Sequence, residues 1–445
     1  MFETIKNAFK VKEIRRKIWM TLLLLLVFRL GCYIPVPGLQ RSFFSDSITG
    51  NEFLSLMSSI TGGALANGTL FALGIGPYIN ASIILQLLCV GIPALERLSK
   101  EGEDGRRKIA QYTRYVAIVL AIIQSVGIIV NFAVRSDGAI YTKIFGEDIF
   151  GTTGANWVAG VYMTIVYTAG ACFVMWLGDR ITEYGVSNGM SMIIFIGIIS
   201  TAGQLLLTKF AQVFGLAEFE GAGDVSVIWE IVAFAAVTVV LFAAIVTVDL
   251  SERKIPVQYA KQVKGRKMYG GQKSEIPMRI SGSGVMPLIF SFAIISVPSM
   301  ISSLFFPESG FTTWWQTYFG SGTWLYILVL CLLIFAFSFF YAQMQFNPDD
   351  VAKSIQQNGG FIQGIRPGRP TADYLKKISN RITLFGAIYL SLVAFIPSIA
   401  FSWASSDLVN VFSTTGILIV VSVAMEFDKQ LQSQLMMKTY KGFLK

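Results

Sequence analysis

The chain has 445 residues, of which 53% are hydrophobic and 14% charged, and its formal net charge is +9. Soluble globular proteins average about 45–50% apolar and about 25% charged residues, so this composition predicts an integral membrane protein. The sequence contains no histidine, which removes the commonest general base and the commonest metal ligand. Its four cysteines lie in apolar runs without a CxxC pair, so we expect neither a disulfide framework nor a metal site.

Ten segments are apolar and long enough to cross a bilayer as helices, which takes about 20 residues. The predicted spans are 18–36, 70–92, 112–134, 157–177, 187–207, 228–248, 284–304, 323–345, 380–402 and 408–427. The first follows a basic stretch, as in a signal peptide, but Arg29 interrupts the region where cleavage would occur. We therefore interpret it as a retained span.

Lysine and arginine are concentrated in the N-terminal segment, in the loops after spans 2, 6 and 8, and in the C-terminal tail. The alternate loops carry few or none, so the positive-inside rule places both termini in the cytoplasm. Ten spans divide into two sets of five, which gives the halves opposite orientations, an arrangement common in transport proteins. The predicted fold is an all-α integral membrane protein with an N-terminal half at 1–225 and a C-terminal half at 226–445.

Residues 53–65 form an amphipathic segment that does not fit this scheme. As a helix it would be about 20 Å long, too short for a hydrocarbon core of about 30 Å. Two interpretations stay open at this point. The segment is either an interfacial helix or ordinary loop, or it is a half-helix folded back into the protein, which is tolerated at membrane depth only beside protein or water.

Two cytoplasmic loops carry more structure than a simple connection needs. The loop at 249–283 is long, basic and punctuated by glycines, which predicts a protruding hairpin or finger. In the loop at 346–379, Asn347 stands at a helix N-cap, Pro348 at the first helical position, and a Gly-Gly pair ends the helix. Membrane topology alone explains basic residues here, but their excess in both loops favours a docking surface.

Motifs for catalysis or phosphate binding are missing from the sequence. It has no GxxxxGK[ST], no HExxH and no CxxC. Charge inside the predicted spans is confined mainly to Arg29. A proton- or ion-coupled transporter usually keeps acidic residues near the middle of the membrane, so this distribution disfavours that class.

Five motifs follow one another along nearly the whole chain. They are RLG at 29–31 with IPVPG at 34–38, GIGPYINASI at 74–83, WLGDRITE at 176–183, RKIPVQYA at 253–260 and GIRPG at 364–368. Together they closely resemble the signatures of the SecY family, the channel-forming subunits of the Sec protein translocon. The resemblance implies a clamshell of two inverted five-helix halves around an hourglass pore.

In that family a ring of apolar side chains forms the waist of the pore. Carried over by motif, the ring consists of Ile79, Ile83, Met190, Ile194, Ile289 and Ile419. Met190 stands where the family usually has isoleucine. The spacing of Ile79 and Ile83, like that of Met190 and Ile194, places both members of each pair on one helix face.

The resemblance assigns three further groups of residues. The segment at 53–65 corresponds to a plug that closes the outer funnel, with Phe53, Leu56, Met57, Ile60, Gly62 and Gly63. A lateral gate between spans 2 and 7 would include Asn80, Ser82, Gln86, Ser281 and Ser283. The ribosome and the motor ATPase would dock on Arg253, Lys254, Lys264, Arg266, Lys267 and Arg366.

The implied function is to pass unfolded secretory polypeptides across the membrane and to release transmembrane segments sideways into lipid. The implied partners are the SecE and SecG subunits, the SecA motor ATPase, the ribosome with its RNA and proteins, signal sequences and nascent chains, and membrane lipid. No catalytic residues and no cofactor are implied. The expected location is the bacterial inner (plasma) membrane.

Three other classes of protein fit the sequence less well. A secondary transporter of a small solute would need a pocket of charged or substrate-matching groups, and a membrane-embedded enzyme would need a catalytic pair inside the spans. The sequence suggests neither. A plastid homologue would carry a transit peptide, which the N-terminal segment does not resemble.

Overall fold

The computed structural model describes residues 2–37, 57–58, 60–135, 156–213, 225–259, 262–264, 267–269, 273–279, 286–305, 309–320, 323–403 and 414–442. The helices, in chain order, are α1 Phe2–Lys10, α2 Lys12–Gly31, α3 Gly76–Gly91, α4 Pro93–Lys100, α5 Glu103–Arg135, α6 Asn156–Tyr184, α7 Gly189–Val213, α8 Val225–Asp249, α9 Met286–Phe305, α10 Gly310–Phe319, α11 Trp324–Gln345, α12 Pro348–Gln357, α13 Arg369–Trp403 and α14 Thr414–Gly442. The strands are β1 Glu252–Tyr259, β2 Gln262–Lys264, β3 Lys267–Tyr269, β4 Lys273–Arg279 and β5 Gly360–Ile362.

A helix covers most of each of the ten predicted spans. Within the described ranges, four stretches meet the length and hydropathy of a membrane span, and they are Glu103–Val130, Gly160–Tyr184, Gly189–Thr208 and Trp324–Gln357. Helices α3 and α4 together form a fifth candidate that is bent by 106°. The chain is therefore mostly helical with several membrane-spanning helices, and the count of ten stays a prediction.

The bend between α3 and α4 has a local cause. Ile92 separates the two helices and has extended backbone angles, φ −109° and ψ 113°. The ring of the following Pro93 clashes with a helical conformation at the preceding residue. Span 2 therefore turns sharply at its C-terminal end instead of running on into the basic loop.

The helices pack in two groups that share one seam. In the first group, α5 packs against α3 and α6, and α2 packs against α6 and α7. In the second, α11 packs against α9 and α13, and α8 against α14. The groups meet where α9 contacts α3 and α5, and where α14 contacts α7. This seam brings residues of predicted spans 2, 5, 7 and 10 to the centre of the molecule.

The mostly helical fold also contains a small β-sheet. Strand β1 pairs antiparallel with β4, from Glu252 opposite Arg279 to Gln258 opposite Lys273, and its other edge pairs with β5. Strands β2 and β3 form a second ladder beyond it. The predicted hairpin at 249–283 is thus a β-hairpin, and β-branched Ile255 and Val257 fill its buried face.

The predicted cap of α12 is confirmed. The side chain of Asn347 accepts a hydrogen bond from the backbone N–H of Asp349 at 3.2 Å, and Pro348 occupies the first turn. Gly359 follows the helix with φ +68°, a conformation that glycine adopts without strain. A polar N-cap and a terminating glycine are local signals, which explains why this helix could be located from sequence.

The segment before span 2 differs from the prediction. Met57, Ser58 and Ile60 are helical, but residues 61–75 form a series of turns, so the helix ends before position 65 and α3 begins at 76 instead of 70. Gly62 and Gly63 adopt φ values of +70° and +83°, which an α-helix cannot contain. These two glycines end the short helix.

Candidate functional site

An apolar cavity of about 70 Å³ lies in the seam between the two helix groups. Four of the six residues predicted for the ring line it: Ile79 from α3, Ile194 from α7, Ile289 from α9 and Ile419 from α14. The same four belong to or pack against one hydrophobic cluster. Four isoleucines from helices far apart in sequence therefore meet around one space.

Prolines place two of these residues close to helix starts. Pro77 lies in the first turn of α3, two residues before Ile79, and Pro287 lies two residues before Ile289 in α9. Proline suits a first turn because the missing N–H has no partner there in any helix. Each isoleucine therefore lies in the first turn of its helix and lines the same cavity.

The other two predicted ring residues do not line the cavity. Ile83, one turn after Ile79, packs into a neighbouring cluster with Phe290, Ala293 and Tyr341. Met190 reaches back to α6, where its Sδ atom would lie 2.4 Å from a Cβ atom placed on Gly178. Met190 fills the notch left by that glycine, so its flexible thioether packs between α6 and α7.

The segment before α3 closes one side of the cavity. Met57, Ile60 and Leu65 line it, as do Ala72 and Leu73 from the following turns. Of the residues predicted for the plug, Phe53 and Leu56 fall outside the described ranges. The segment is also packed closely against α7, because a Cβ atom on Gly197 would lie 2.3 Å from the carbonyl oxygen of Ile60.

Arg29 holds this segment in place. Its Nη1 atom donates a hydrogen bond to the carbonyl oxygen of Gly62 at 3.2 Å, and Nη2 donates to the hydroxyl of Tyr33 at 3.1 Å. The guanidinium also lies 5.2 Å from the centre of the Tyr33 ring. Gln204 of α7 donates to the same hydroxyl at 2.8 Å. Sequence reasoning singled out Arg29 but found no partner for it, since its partners are a backbone carbonyl and a tyrosine.

A polar contact crosses the seam beside Ile83. Gln86 of α3 donates to Ser82 at 3.2 Å, and its Oε1 atom accepts a hydrogen bond from the hydroxyl of Tyr341 in α11. The Tyr341 ring stacks on Phe290 of α9 with centroids 4.9 Å apart. Gln86 and Ser82 were singled out from sequence, whereas Tyr341 was missed because it is one aromatic residue among several in an apolar span.

Two further polar residues face the cavity. Asn80, predicted for the gate, lines it, and so does Gln124 of α5, which sequence reasoning missed. The amide nitrogen of Gln124 lies 3.4 Å from the sulfur of Met300 in α9, and its carbonyl oxygen is buried with no partner among the described residues. The sequence feature that could have revealed Gln124 is a single glutamine within an apolar span. Ser281 and Ser283 fall outside the described ranges.

The basic residues predicted for docking lie around the small sheet. Arg253 and Lys254 are exposed on β1, and the Nζ atom of Lys254 lies 3.7 Å from Oε2 of Glu275 on β4. Arg366 is exposed in the turn between β5 and α13. Lys264 belongs to β2 and Lys267 to β3, while Arg266 falls outside the described ranges. Because β1 and β5 pair, the two predicted docking loops share one surface.

The cavity can bind a guest by its shape and by apolar contacts. Within the described part of the chain, no group of three or more histidine, cysteine, aspartate or glutamate side chains could hold a metal ion. The cavity is lined by apolar side chains, with the amides of Asn80 and Gln124 and the hydroxyl of Ser296 as its polar groups. Such a space can hinder ions by dewetting and still deform around an apolar guest.

Comparison with known proteins identifies the family. The SecY family profile matches residues 69–427. The chain is 39% identical to the protein translocase subunit SecY of Streptomyces galbus over the full length of both, and 38% identical to that of Mycobacterium tuberculosis, again over both full lengths.

Solved structures show the same fold. A protein-conducting channel with 18% sequence identity aligns over 94% of this chain and 92% of its own, with a TM-score of 0.63. Canine Sec61, in a ribosome-channel complex from the endoplasmic reticulum, aligns over the same shares at 18% identity, with a TM-score of 0.61. The chain belongs to the SecY family of protein translocase channel subunits, which are channels and not enzymes.

Proposed function

We propose that the central cavity is the waist of the polypeptide path and that Ile79, Ile194, Ile289 and Ile419 form its ring. The observation that carries the proposal is their convergence on one apolar space from four helices of both groups. Branched apolar side chains repel hydrated ions yet offer a passing chain no strong binding site. Ile83 and Met190 flank the ring, Ile83 towards the gate and Met190 against α6.

The gate lies between α3 and α9, the helices of predicted spans 2 and 7. Its closed contacts are the packing of Ile83 on Phe290 and Ala293 and the hydrogen bond from Tyr341 to Gln86. A signal sequence replaces these contacts with its own apolar side chains, which biases the gate towards an open state. Asn80 and Gln124 supply polar contacts in the cavity beside it.

Residues 57–75 act as the plug in the resting channel. Two observations support this role. Apolar side chains of the segment line the cavity, and Arg29 donates a hydrogen bond to the carbonyl oxygen of Gly62. The turns of this segment are held together by internal hydrogen bonds, such as that from the backbone N–H of Thr69 to the carbonyl oxygen of Ala64 at 3.1 Å, so the segment moves as one unit. Displacement of this segment opens the space for a polypeptide.

Energy for transport comes from partners, since the sequence carries no nucleotide-binding motif. The basic surface of β1 and the turn at Arg366 suits a polyanion such as ribosomal RNA, and the canine Sec61 structure was solved in a ribosome-channel complex. The SecA motor docks on the same surface. SecE and SecG complete the assembly in the bacterial plasma membrane, with both termini of the chain in the cytoplasm.

Crosslinking of a stalled secretory chain tests the proposal. A photoreactive residue replaces Ile194 and, separately, Ile289, and the control replaces Val119, which lies on α5 with 55% of its side chain exposed. Adducts with the stalled chain from both ring sites and none from the control are expected. Folded, inserted protein that gives no adduct from either ring site refutes a central polypeptide path and favours a secondary transporter instead.

A further inference from the structure

Helix α10, which connects α9 to α11, carries an unusually aromatic face. Its ten residues, GFTTWWQTYF, contain no charge. Phe311, Trp314 and Tyr318 follow one another at intervals of three and four residues, which places them on one side of the helix. Their side chains are 53%, 49% and 53% exposed. Neither the predicted gate nor the predicted docking loops make use of this face.

Hydrogen bonds fold α10 back onto the end of α9. The indole N–H of Trp315 donates to the hydroxyl of Ser299 at 2.7 Å, and the hydroxyl of Thr312 donates to the carbonyl oxygen of Ser302 at 3.4 Å. Ser309 caps the helix by accepting from the backbone N–H of Thr312 at 3.3 Å. The helix is therefore a fixed element with one side on α9 and the aromatic side outward.

The position of α10 along the chain tells which environment covers its aromatic side. It lies between α9, which ends at Phe305, and a candidate membrane span that starts at Trp324. Trp324 itself is 65% exposed, and Leu325 and Leu328 continue an exposed apolar surface down α11. The aromatic face is thus continuous with surface that meets lipid, at the level where the spans leave the membrane.

Tryptophan and tyrosine concentrate at that level because each combines an apolar ring with a polar atom. A short helix with one apolar face lies in the plane of the interface and buries that face among lipid headgroups and upper acyl chains. Three exposed aromatic residues without a charge beside them suit the neutral region of phospholipid. A face without charged residues favours contact with lipid over binding of a soluble protein.

We propose that α10 is an interfacial anchor, whose Phe311, Trp314 and Tyr318 insert into the outer leaflet of the bilayer and thereby fix the outer end of α9. The bond from Trp315 to Ser299 transmits this anchorage directly after Pro298, the proline inside α9. The proposal concerns lipid contact and does not depend on the channel function.

Photocrosslinking to phospholipid tests the contact. The assembled complex, reconstituted in phosphatidylcholine vesicles, carries a photoreactive residue at Trp314 or Tyr318, and the matched control carries it at Gln316, an exposed residue on the opposite side of α10. We expect several-fold more lipid adducts at 314 and 318 than at 316. Equal lipid adducts at all three positions, adducts with protein instead of lipid, or no adducts at 314 and 318 would overturn the proposal.

A second variant tests the link to α9. Trp315→Phe keeps an aromatic ring but removes the donor to Ser299. Lipid adducts from the photoreactive residue at position 314 should persist, while amide hydrogen exchange in the part of α9 after Pro298 becomes several-fold faster. Unchanged exchange in that part would show that α10 contacts lipid without holding α9, and would overturn that part of the proposal.

Discussion

The substitution Gly62→Ala should loosen the segment that covers the cavity. Gly62 has φ +70°, and a Cβ atom there would lie 2.4 Å from Nη1 of Arg29 and 3.2 Å from the Cα atom of Gly197. Alanine in the left-handed region costs about 1–2 kcal/mol. The methyl group also displaces the guanidinium from the carbonyl oxygen that it now contacts.

Gly63→Ala is a matched control. Gly63 has φ +83°, so alanine meets similar backbone strain, but its Cβ atom would approach side-chain atoms only to 3.7 and 3.9 Å. The two variants therefore differ by the hydrogen bond from Arg29 and by a close approach to the backbone of Gly197, which adds to the effect of Gly62→Ala. A hydrogen bond to a charged group contributes about 1.5–3 kcal/mol, and because Arg29 is only partly buried we take the lower end, about 1.5–2 kcal/mol.

That difference corresponds to roughly 10- to 30-fold in the population with the segment displaced, since each 1.4 kcal/mol is a factor of ten. The assay is the leak of a small anion from proteoliposomes that hold the resting complex without a secretory chain. Gly62→Ala should leak roughly 10- to 30-fold faster than Gly63→Ala. Equal leak rates in the two variants would refute the argument that Arg29 clasps this segment.

Three other predictions follow from single contacts. Tyr341→Phe removes the hydrogen-bond donor to Gln86, which should destabilise the closed seam by about 0.5–1.5 kcal/mol. Export of precursors whose signal segments are weakly apolar should therefore increase, and unchanged export would contradict this prediction. Asn347→Ala removes the cap of α12 at a cost of about 1 kcal/mol, so amide exchange in that helix should accelerate while exchange in α13 stays as it was. Gly189→Ala places a Cβ atom 1.9 Å from a carbonyl oxygen of α6 and should lower the unfolding temperature of the protein. Gly203→Ala, whose Cβ atom has nothing within 4 Å, should leave the unfolding temperature unchanged or raise it. Equal unfolding temperatures of the two variants would contradict the close packing of α7 on α6.

Features encoded locally could be predicted from the sequence. The helix at Pro348–Gln357 was located by its Asn347 cap and its terminating glycine, both of which act within one turn. The helical segments of the spans followed from apolar length alone. The hairpin at 249–283 was recognised as a protrusion, although its pairing with β5 was not, since that requires knowledge of a segment about a hundred residues further along the chain.

Features made by distant contacts could not be predicted in the same way. The resemblance to the SecY family supplied the ring residues, and four of the six do meet at the cavity. The partners of Arg29 and Gln86 lie on other elements, a backbone carbonyl in one case and Tyr341, 255 residues away, in the other. Met190 packs into the space beside Gly178 on α6 instead of lining the cavity. The residue pattern of its own helix does not predict this contact, because Gly178 lies on a different helix.

The pairing of β5 with β1 has a mechanical consequence. Strand β1 follows α8 and leads, through its hairpin, to α9, while β5 lies between α12 and α13. The sheet therefore ties α8, which precedes β1, to α12 and α13, which flank β5. A force on Lys254 and a force on Arg366 consequently act on the same sheet and on the same helices, whichever of the two loops receives them.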